Sequence, residues 1–186
     1  MKKMFLLSVI LLSLTLTAMA QTEIGLNGVG GRLGLIMPED PIDNTFGFGL
    51  NADLGTITPV IKLGAFLDYW SKSYDVGIGL ASSEASISLL AIGALARYDF
   101  EMDGNIKPYA AGGLGLNIAT GSFEYTDPIT GKKVDDSESE SDFAIHLIGG
   151  AEMPLTPQMN GFAEIKYVIS DAEYFGIFVG VMYKLK

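Results

Sequence analysis

The sequence predicts an all-β fold, an eight-stranded antiparallel up-and-down transmembrane β-barrel. Glycine supplies 23 of the 186 residues, and after residue 20 no apolar run approaches the roughly 20 residues that a membrane helix needs. The chain instead divides into segments in which apolar residues recur at every second position, separated by turn residues. Because only helices and closed barrels satisfy every backbone polar group inside a bilayer, a spanning chain of this kind must close into a barrel.

The N-terminal segment is treated apart from the fold. Residues 1–20 combine Lys2 and Lys3, an apolar run from Phe5 to Leu16 and an Ala18-Met19-Ala20 cleavage site, which together are typical of a signal peptide. The barrel domain is therefore assigned to residues 21–186. Cleavage removes two lysines from a chain with 12 basic and 22 acidic residues, leaving a net charge of −12. Cysteine is absent, so no disulfide contributes to stability.

The strands are placed in order along the domain, with connections that alternate in length. The predicted strands are residues 24–36, 45–55, 60–70, 86–100, 106–119, 142–153, 161–169 and 174–185. Short connections follow the second, fourth and sixth strands, at residues 56–59, 102–105 and 154–160. Longer ones follow the first, third and fifth, at residues 37–44, 71–85 and 120–141. Outer-membrane barrels have short periplasmic turns and long extracellular loops, so we expect the long connections outside.

In the first four strands, charge is confined to one parity. Successive side chains of a strand point to opposite faces, so the charged parity identifies the lumen and the apolar parity the lipid. Glycines around Arg32, the first inward charge, leave room for its large side chain. The inward charges of these strands are Arg32, Asp53, Lys62, Asp68, Arg97 and Asp99.

The later strands keep the same segregation. In the sixth and seventh, His146, Glu152, Glu164 and Lys166 share the inward parity. In the eighth, the odd positions from Phe175 to Tyr183 are all apolar, whereas two even positions are glycine. We expect the odd face to meet lipid and this strand to close the barrel by pairing with the first.

The inward charges nearly cancel, with four bases and five acids. Because unpaired charges in a narrow low-dielectric interior are costly, a lumen ion-pair network is predicted. An eight-stranded barrel is wide enough only for its own side chains, so a side-chain-filled lumen is expected. Bulky inward residues at 66, 70, 162 and 178 support this expectation. The predicted network comprises Arg32, Asp53, Lys62, Asp68, Arg97, Asp99, Glu152, Glu164 and Lys166.

Outward aromatic residues lie near the predicted strand ends. Such residues form girdles at the membrane interfaces, where an aromatic body meets the acyl edge and a polar tip meets water. The predicted interfacial aromatics are Phe46, Tyr69, Phe143 and Phe175 on the loop side and Tyr98, Phe100 and Tyr183 on the turn side.

The fifth strand carries a family resemblance. The segment Lys107-Pro108-Tyr109-Ala110-Ala111-Gly112-Gly113-Leu114-Gly115-Leu116-Asn117, after the turn Asp103-Gly104-Asn105, resembles the fifth-strand signature of the OmpA-like and OmpX-like small outer-membrane barrels. As a pattern, the resemblance extends over essentially the whole barrel domain. It implies an eight-stranded up-and-down barrel that is inserted by the outer-membrane assembly machinery.

Two features that could carry chemistry are given structural interpretations. His146 is the only histidine and has no catalytic motif around it, so it is interpreted as a hydrogen-bonded packing residue. The loop from Thr120 to Asp142 is rich in carboxylates, which can hold calcium, but it has no D-x-D-x-D-G pattern and is interpreted as a solvated tip. Its flanks are expected to continue the fifth and sixth strands beyond the membrane.

The predicted function is that of a non-enzymatic outer-membrane barrel of a Gram-negative-type bacterium, without cofactor or metal, with a structural, envelope-integrity or surface-interaction role. The alternatives are a narrow pore for small solutes and a lipid-modifying enzyme that uses His146. The expected partners are outer-membrane lipid and lipopolysaccharide, the assembly machinery and an extracellular ligand of the loops, with the barrel itself monomeric. The acidic charge argues against nucleic acid as a partner.

Overall fold

A computed structural model of the protein describes residues 23–75, 83–126 and 133–185. The predicted signal peptide, residues 1–20, lies outside this part of the chain, as does the centre of the acidic loop, residues 127–131. The described part of the chain contains no helical membrane span.

Eight strands form one closed antiparallel barrel, as predicted. Each strand pairs with its neighbour in sequence, and the first and last strands close the ring. The strands are β1 (Glu23–Pro38), β2 (Thr45–Thr58), β3 (Ile61–Asp75), β4 (Ser83–Asp99), β5 (Lys107–Thr126), β6 (Lys133–Thr156), β7 (Met159–Ile169) and β8 (Tyr174–Lys184).

The closing seam brings β1 and β8 together along most of their lengths. Their register runs from Gly28 opposite Lys184 to Pro38 opposite Tyr174, and Arg32 lies opposite Gly180. The predicted pairing of the last strand with the first is therefore confirmed. Because every strand has two neighbours at this level, the membrane-level backbone has no open edge.

The strands at the loop side extend further than their polar sequence suggests. β3 runs on to Asp75 and β4 begins at Ser83, so much of the predicted 71–85 connection is strand. β5 and β6 stay paired out to Thr126 and Lys133, which confirms that the flanks of the acidic loop continue these strands. Serine and glutamate in alternation gave no apolar signal here, because neither face of the extension needs to be buried.

The connections at the turn side are partly tighter than predicted. The chain reverses at residues 59–60 and 157–158, both of which begin with proline, and more loosely at residues 100–106. Proline fixes φ near the value that a turn needs, so these reversals require fewer residues than the 56–59 and 154–160 connections expected from sequence.

Burial alternates along the strands as the charge parity predicts. In β8, Phe178 is 1% exposed and Val179 is 60% exposed. An apolar core fills the lumen near the loop side, and the lipid-facing parity carries most of the exposed large apolar side chains. The buried core residues are Ile36, Phe66, Trp70, Leu89, Ala91, Ala144, Val168, Tyr174 and Phe178.

Candidate functional site

A cluster of four charged side chains crosses the middle of the lumen. Arg32 donates from Nε and Nη2 to the two carboxylate oxygens of Asp68, at 2.9 and 2.7 Å, and from Nη1 to Glu164 at 2.5 Å. Lys166 Nζ also donates to Asp68 Oδ2, at 2.6 Å. No member of this central cluster has a side chain more than 8% exposed. The two bases and two acids neutralise one another in a site that water scarcely reaches.

The neighbouring residues explain why these charges fit. A Cβ at Gly49 would lie 2.1 Å from Asp68 Oδ1 and 3.0 Å from Arg32 Nε, so glycine is needed where the guanidinium meets the carboxylate. The Arg32 guanidinium also lies 4.7 Å from the centre of the Phe178 ring, and Lys166 Nζ lies 4.1 Å from that of Phe66. The charged groups are thus held between aromatic faces that attract cations.

A second set of charges, nearer the turns, forms a ladder across three strands. Asp99 accepts from Lys62 Nζ at 2.6 Å and from Arg97 Nε at 2.5 Å. Arg97 Nη1 also meets Glu152 at 2.8 Å, and Asn160 donates to that carboxylate at 2.7 Å. The ladder is more exposed than the central cluster, with the Lys62 side chain 40% exposed.

Tyr109 connects the two sets. Its hydroxyl donates to Glu164 at 2.7 Å, while the Arg97 guanidinium lies 3.6 Å from the centre of its ring. Charge parity along the strands could not identify this residue, because a tyrosine on the lumen face carries no charge. Only its position indicated that it faces the lumen, because Tyr109 has the same inward parity as Ala111 and lies two residues after Lys107.

Eight of the nine predicted network residues make ion pairs, whereas Asp53 makes none among the described residues. Its carboxylate instead accepts the backbone N–H of Gly55 at 2.8 Å. The register between β2 and β3 shifts just after Asp53, and Gly55 has a φ of 97°. This irregularity turns the carboxylate toward its own strand, while Lys62 binds Asp99.

Side chains fill the lumen from the central cluster toward the loop side, except for a small cavity at the loop-side end. A cavity of about 930 Å³ lies between the central cluster and the turns. Lys62 and Glu152, at the two ends of the ladder, line it together with Tyr109 and Glu164. The expectation of a fully side-chain-filled lumen is therefore not met in this half. The lumen face there carries Gly28, Gly64 and Ala111, whose small volumes cannot fill the space.

His146 is a buried packing residue at the edge of the core. It is fully buried, and its ring packs edge-on against Phe66 with centroids 4.5 Å apart. A Cβ at Gly115 would lie 2.9 Å from His146 Nε2, so the facing glycine makes room for it. Neither ring nitrogen has a hydrogen-bond partner among the described residues, contrary to the hydrogen bond expected from sequence. An orienting partner of the kind a catalytic histidine needs is missing from the same set.

The predicted interfacial aromatics all lie on outward-facing or terminal positions. Phe46 and Phe143 are the most exposed, at 80% and 86%, and Tyr69 and Phe175 are half-buried beside neighbouring side chains of the barrel wall. Phe48 packs on Tyr69 with ring centroids 5.5 Å apart, and Tyr98 packs on Phe100 at 5.1 Å. Aromatic side chains thus occur at both ends of the outer surface, together with Tyr183 on the turn side.

The extended ends of β3, β4, β5 and β6 form a four-stranded sheet above the loop-side rim, called here the loop-side sheet (residues 71–75, 83–88, 119–126 and 133–144). Asp75 lies opposite Glu84, Glu84 opposite Glu124, and Glu124 opposite Asp135, so carboxylates run across the sheet. Lys133 Nζ contacts Glu124 at 2.7 Å, and this hydrogen bond raises the pKa of the lysine. No group of three or more metal-ligating side chains is found among the described residues.

Comparisons with known proteins agree on one family of folds. Residues 5–184 match the family described as outer membrane protein beta-barrel domain. The chain is similar to Neisserial surface protein A, with 17% identity, a TM-score of 0.61, and coverage of 85% of this chain and 96% of that one. It is also similar to Ail, the attachment invasion locus protein of Yersinia pestis, in complex with the heparin analogue sucrose octasulfate, with 14% identity, a TM-score of 0.59, and coverage of 88% and 100%. No curated protein sequence matches the chain significantly.

Proposed function

The chain belongs to the outer membrane protein beta-barrel domain family, and from that membership we propose that it is a non-enzymatic surface-interaction protein whose loop-side sheet binds basic protein segments. The single observation that carries this proposal is an open strand edge on β6. We orient the loop side outward, because outer-membrane barrels carry their longer connections outside.

The open edge follows from the difference in length between β6 and its two neighbours. β6 pairs with β5 from Lys133 onward, but its pairing with β7 begins only at Ile145. Among the described residues, positions 133–144 therefore have a strand partner on one side only. An unpaired edge presents backbone N–H and C=O groups that can accept a further strand.

The opposite edge of the same sheet is covered. There, Thr45 Oγ1 donates to the backbone oxygen of Ser71 at 2.6 Å, and Lys72 Nζ contacts the backbone oxygen of Asn44 at 3.3 Å. The Tyr74 hydroxyl accepts the backbone N–H of Asp43 at 2.8 Å. The edge of β6 is contacted only at its inner end among the described residues, where the Asp142 carboxylate accepts the N–H of Asp171 at 2.9 Å. Since the chain covers the edge of β3 and leaves residues 133–141 of β6 without a second strand, strand addition is possible on one side of the sheet.

The charge of the open edge indicates its partner. Between Asp135 and Asp142, acidic residues alternate with or adjoin serines, and the segment contains no base. A partner strand rich in lysine or arginine would place opposite charges across the new ladder, which favours pairing. Ail was crystallised with a polysulfated ligand; the acidic edge of this chain would repel such a ligand, so its partner has the opposite charge.

The proposal is tested with the protein in lipid nanodiscs and an extended peptide of alternating lysine and valine. We expect saturable binding by biolayer interferometry that weakens as salt rises, because the Debye length falls from about 10 Å at 0.1 M salt to about 3 Å at 1 M. The matched control is a peptide of equal charge in which proline replaces valine, since proline cannot donate to a ladder. Equal binding of both peptides would show simple charge attraction and contradict strand addition.

The runner-up function is a narrow pore for small solutes, and one observation favours it. The cavity on the turn side extends inward as far as Glu164, so only the central cluster and the apolar core separate it from the loop side. Electrical recordings across a lipid bilayer distinguish the two functions, because a pore gives steady current steps. A lipid-modifying enzyme is disfavoured by the full burial of His146.

The barrel is proposed to lie in the outer membrane. Its outer surface would meet outer-membrane lipid and lipopolysaccharide, its insertion would depend on the assembly machinery, and it would act as a monomer after removal of residues 1–20. A heat-modifiability gel on outer-membrane fractions tests the folded state in place, since a barrel migrates differently before and after boiling.

A further inference from the structure

A small cavity lies at the loop-side end of the lumen, beside the loop-side sheet. Its volume is about 150 Å³, and it is bounded by the β1–β2 loop, the β7–β8 loop and the mouth of the barrel. Glu39 N–H donates to the backbone oxygen of Glu173 at 3.3 Å, which joins the two loops above it. A cavity of this size can hold a molecule about as large as benzene.

The rim of this cavity carries charge of one sign. Glu39, Asp40, Asp171 and Glu173 line it, and no lysine or arginine does so among the described residues. Lys72, on the same face of β3 as the floor, lies instead over the Tyr74 ring at 5.7 Å and 3.9 Å from Asp43. The acidic rim is therefore not neutralised by a cation that lines the cavity.

The floor of the cavity is apolar and contains Trp70. This residue is 3% exposed, packs edge-on against Tyr174 with centroids 6.1 Å apart, and lines the cavity with Leu89 and Ile87. Its indole Nε1–H has no hydrogen-bond partner among the described residues. Buried tryptophans usually satisfy that donor, so an acceptor on a bound molecule would complete the site.

We infer that this cavity binds a small organic ammonium ion that also carries a hydrogen-bond acceptor. The positive group meets the carboxylate rim, the apolar groups rest on the floor, and the acceptor reaches the indole N–H of Trp70. Tryptophan is also the aromatic residue that attracts cations most strongly. This site borders the loop-side sheet, since Ile87 and Ala119 line it. The N–H of Asp171, on its rim, donates to the Asp142 carboxylate at 2.9 Å. The proposed ligand contacts the rim carboxylates and Trp70, so the inference does not rest on strand addition to β6.

The chain offers a direct probe of this site, because Trp70 is its only tryptophan. Folded protein in maltoside micelles, which carry no ammonium group, is titrated with choline while tryptophan emission is recorded. We expect a saturable change with a Kd of about 1 mM or tighter. The uncharged tert-butyl analogue of choline should cause no saturable change, and phosphocholine should bind more weakly because its phosphate is repelled by the rim. Stronger binding of phosphocholine would identify a lipid headgroup as the ligand and overturn the assignment to a free amine.

Two charge-matched variants complete the test. Asp40→Asn with Asp171→Asn removes two rim charges and should weaken choline binding by about tenfold or more. Glu101→Gln with Asp103→Asn removes the same charge from the turn-side end of the barrel, away from the cavity, and should leave choline binding unchanged. Equal weakening by both variants, a linear response to choline, or an identical curve with the uncharged analogue would each overturn the inference. Heat modifiability verifies that both variants are folded.

Discussion

At the residue scale, the interior is dominated by the requirement that every buried charge has a partner. Arg32 serves two carboxylates at once, and Asp68 in turn receives Lys166. Arg32 and Asp68 each pair with two opposite charges, Glu164 and Lys166 each pair with one, and the removal of any member leaves an imbalance. The large cost of an uncompensated buried charge makes this arrangement the most sensitive part of the barrel.

Arg32→Ala should destabilise the barrel by about 3–5 kcal/mol, because it leaves Asp68 with one partner and Glu164 without a cation. The measurement is urea unfolding of the protein in lipid vesicles, followed by tryptophan emission. An unfolding midpoint equal to that of the wild type would show that water solvates this part of the lumen.

The matched control is Lys133→Ala, which breaks the ion pair with Glu124 on the loop-side sheet. Both side chains are largely exposed, at 64% and 47%, and exposed pairs contribute little because water and salt screen them. The midpoint of this variant should stay close to that of the wild type. Each substitution removes one base that is paired with one or two acids, so the difference between the two unfolding midpoints reports the effect of burial.

Sequence reasoning located the charged residues of the lumen but missed their neutral partners. Alternation along a strand assigns a face to any charge, so Arg32, Asp68 and Lys166 could be placed without coordinates. Tyr109 and Asn160 also bind lumen carboxylates, yet their types are common on either face of a strand. Asp53 was misassigned as an ion-pair partner because a shift in strand register does not show in the parity of charges.

At the element scale, β8 shows how one strand divides two environments. Val179 is 60% exposed on the lipid side, whereas a Cβ at Gly180 would lie 2.4 Å from Phe162 Cζ and 2.5 Å from the backbone oxygen of Gly31. Val179→Arg should cost about 2–4 kcal/mol if the residue lies near the bilayer middle, as a cation on the lipid face does. Gly180→Val should fail through overpacking, since the backbone of β1 cannot move away.

The measurement for β8 uses single cysteines at positions 177 to 182, each labelled with a fluorophore that bilayer-resident quenchers reach. Quenching should be strong at 177, 179 and 181 and weak at 178, 180 and 182. The unfolding midpoints of Val179→Arg and Gly180→Val are compared in the same lipid. The opposite alternation in quenching would mean that the lumen and lipid faces are exchanged.

The length of the strands was harder to predict than their number. The strands predicted from the sequence end where apolar alternation stops, but β5 and β6 continue as a hairpin in which both faces meet water. Backbone pairing holds such an extension without any apolar signal. The continuation of these two strands was expected from the sequence, but not how far β6 extends beyond its pairing with β7, which creates the open edge on which the proposed function depends.

Shortening this hairpin should separate binding from folding. Replacement of residues 122–137 by Asn-Gly, a pair suited to a two-residue hairpin, would join Gly121 to Glu138 beyond the central cluster. The barrel should keep its heat modifiability, because the described residues of the removed segment form no ion pair with a lumen charge, while binding of the lysine–valine peptide should weaken, because five of the twelve unpaired positions of β6 are removed. Undiminished peptide binding would locate the interaction elsewhere on the loop side.

At the scale of the whole molecule, closure and compartment were predictable, whereas the packing of the lumen was predictable only in part. Glycine content, period-two alternation and the absence of long apolar runs all indicate a barrel, because hydrocarbon leaves few other ways to satisfy the backbone. The volume of the lumen depends on which small residues face one another across it. Gly28, Gly64 and Ala111 come from three different strands, so their joint effect is seen only in the folded barrel.

The wild-type barrel should pass little or no steady current, despite its large cavity on the turn side. Ions that enter this cavity meet the central cluster, whose charges are already paired, and then Phe66, Trp70 and Phe178, each at most 3% exposed. An ion would have to lose its hydration shell to cross such a layer, and no ring of free ligands replaces it among the described residues.

Planar-bilayer recordings of purified protein test this expectation. As a positive control, alanine at all three aromatic positions should raise the conductance, because it removes three of the large side chains that fill the apolar core and keeps all four charged residues. Large stable steps from the wild type would contradict a closed lumen and favour the pore.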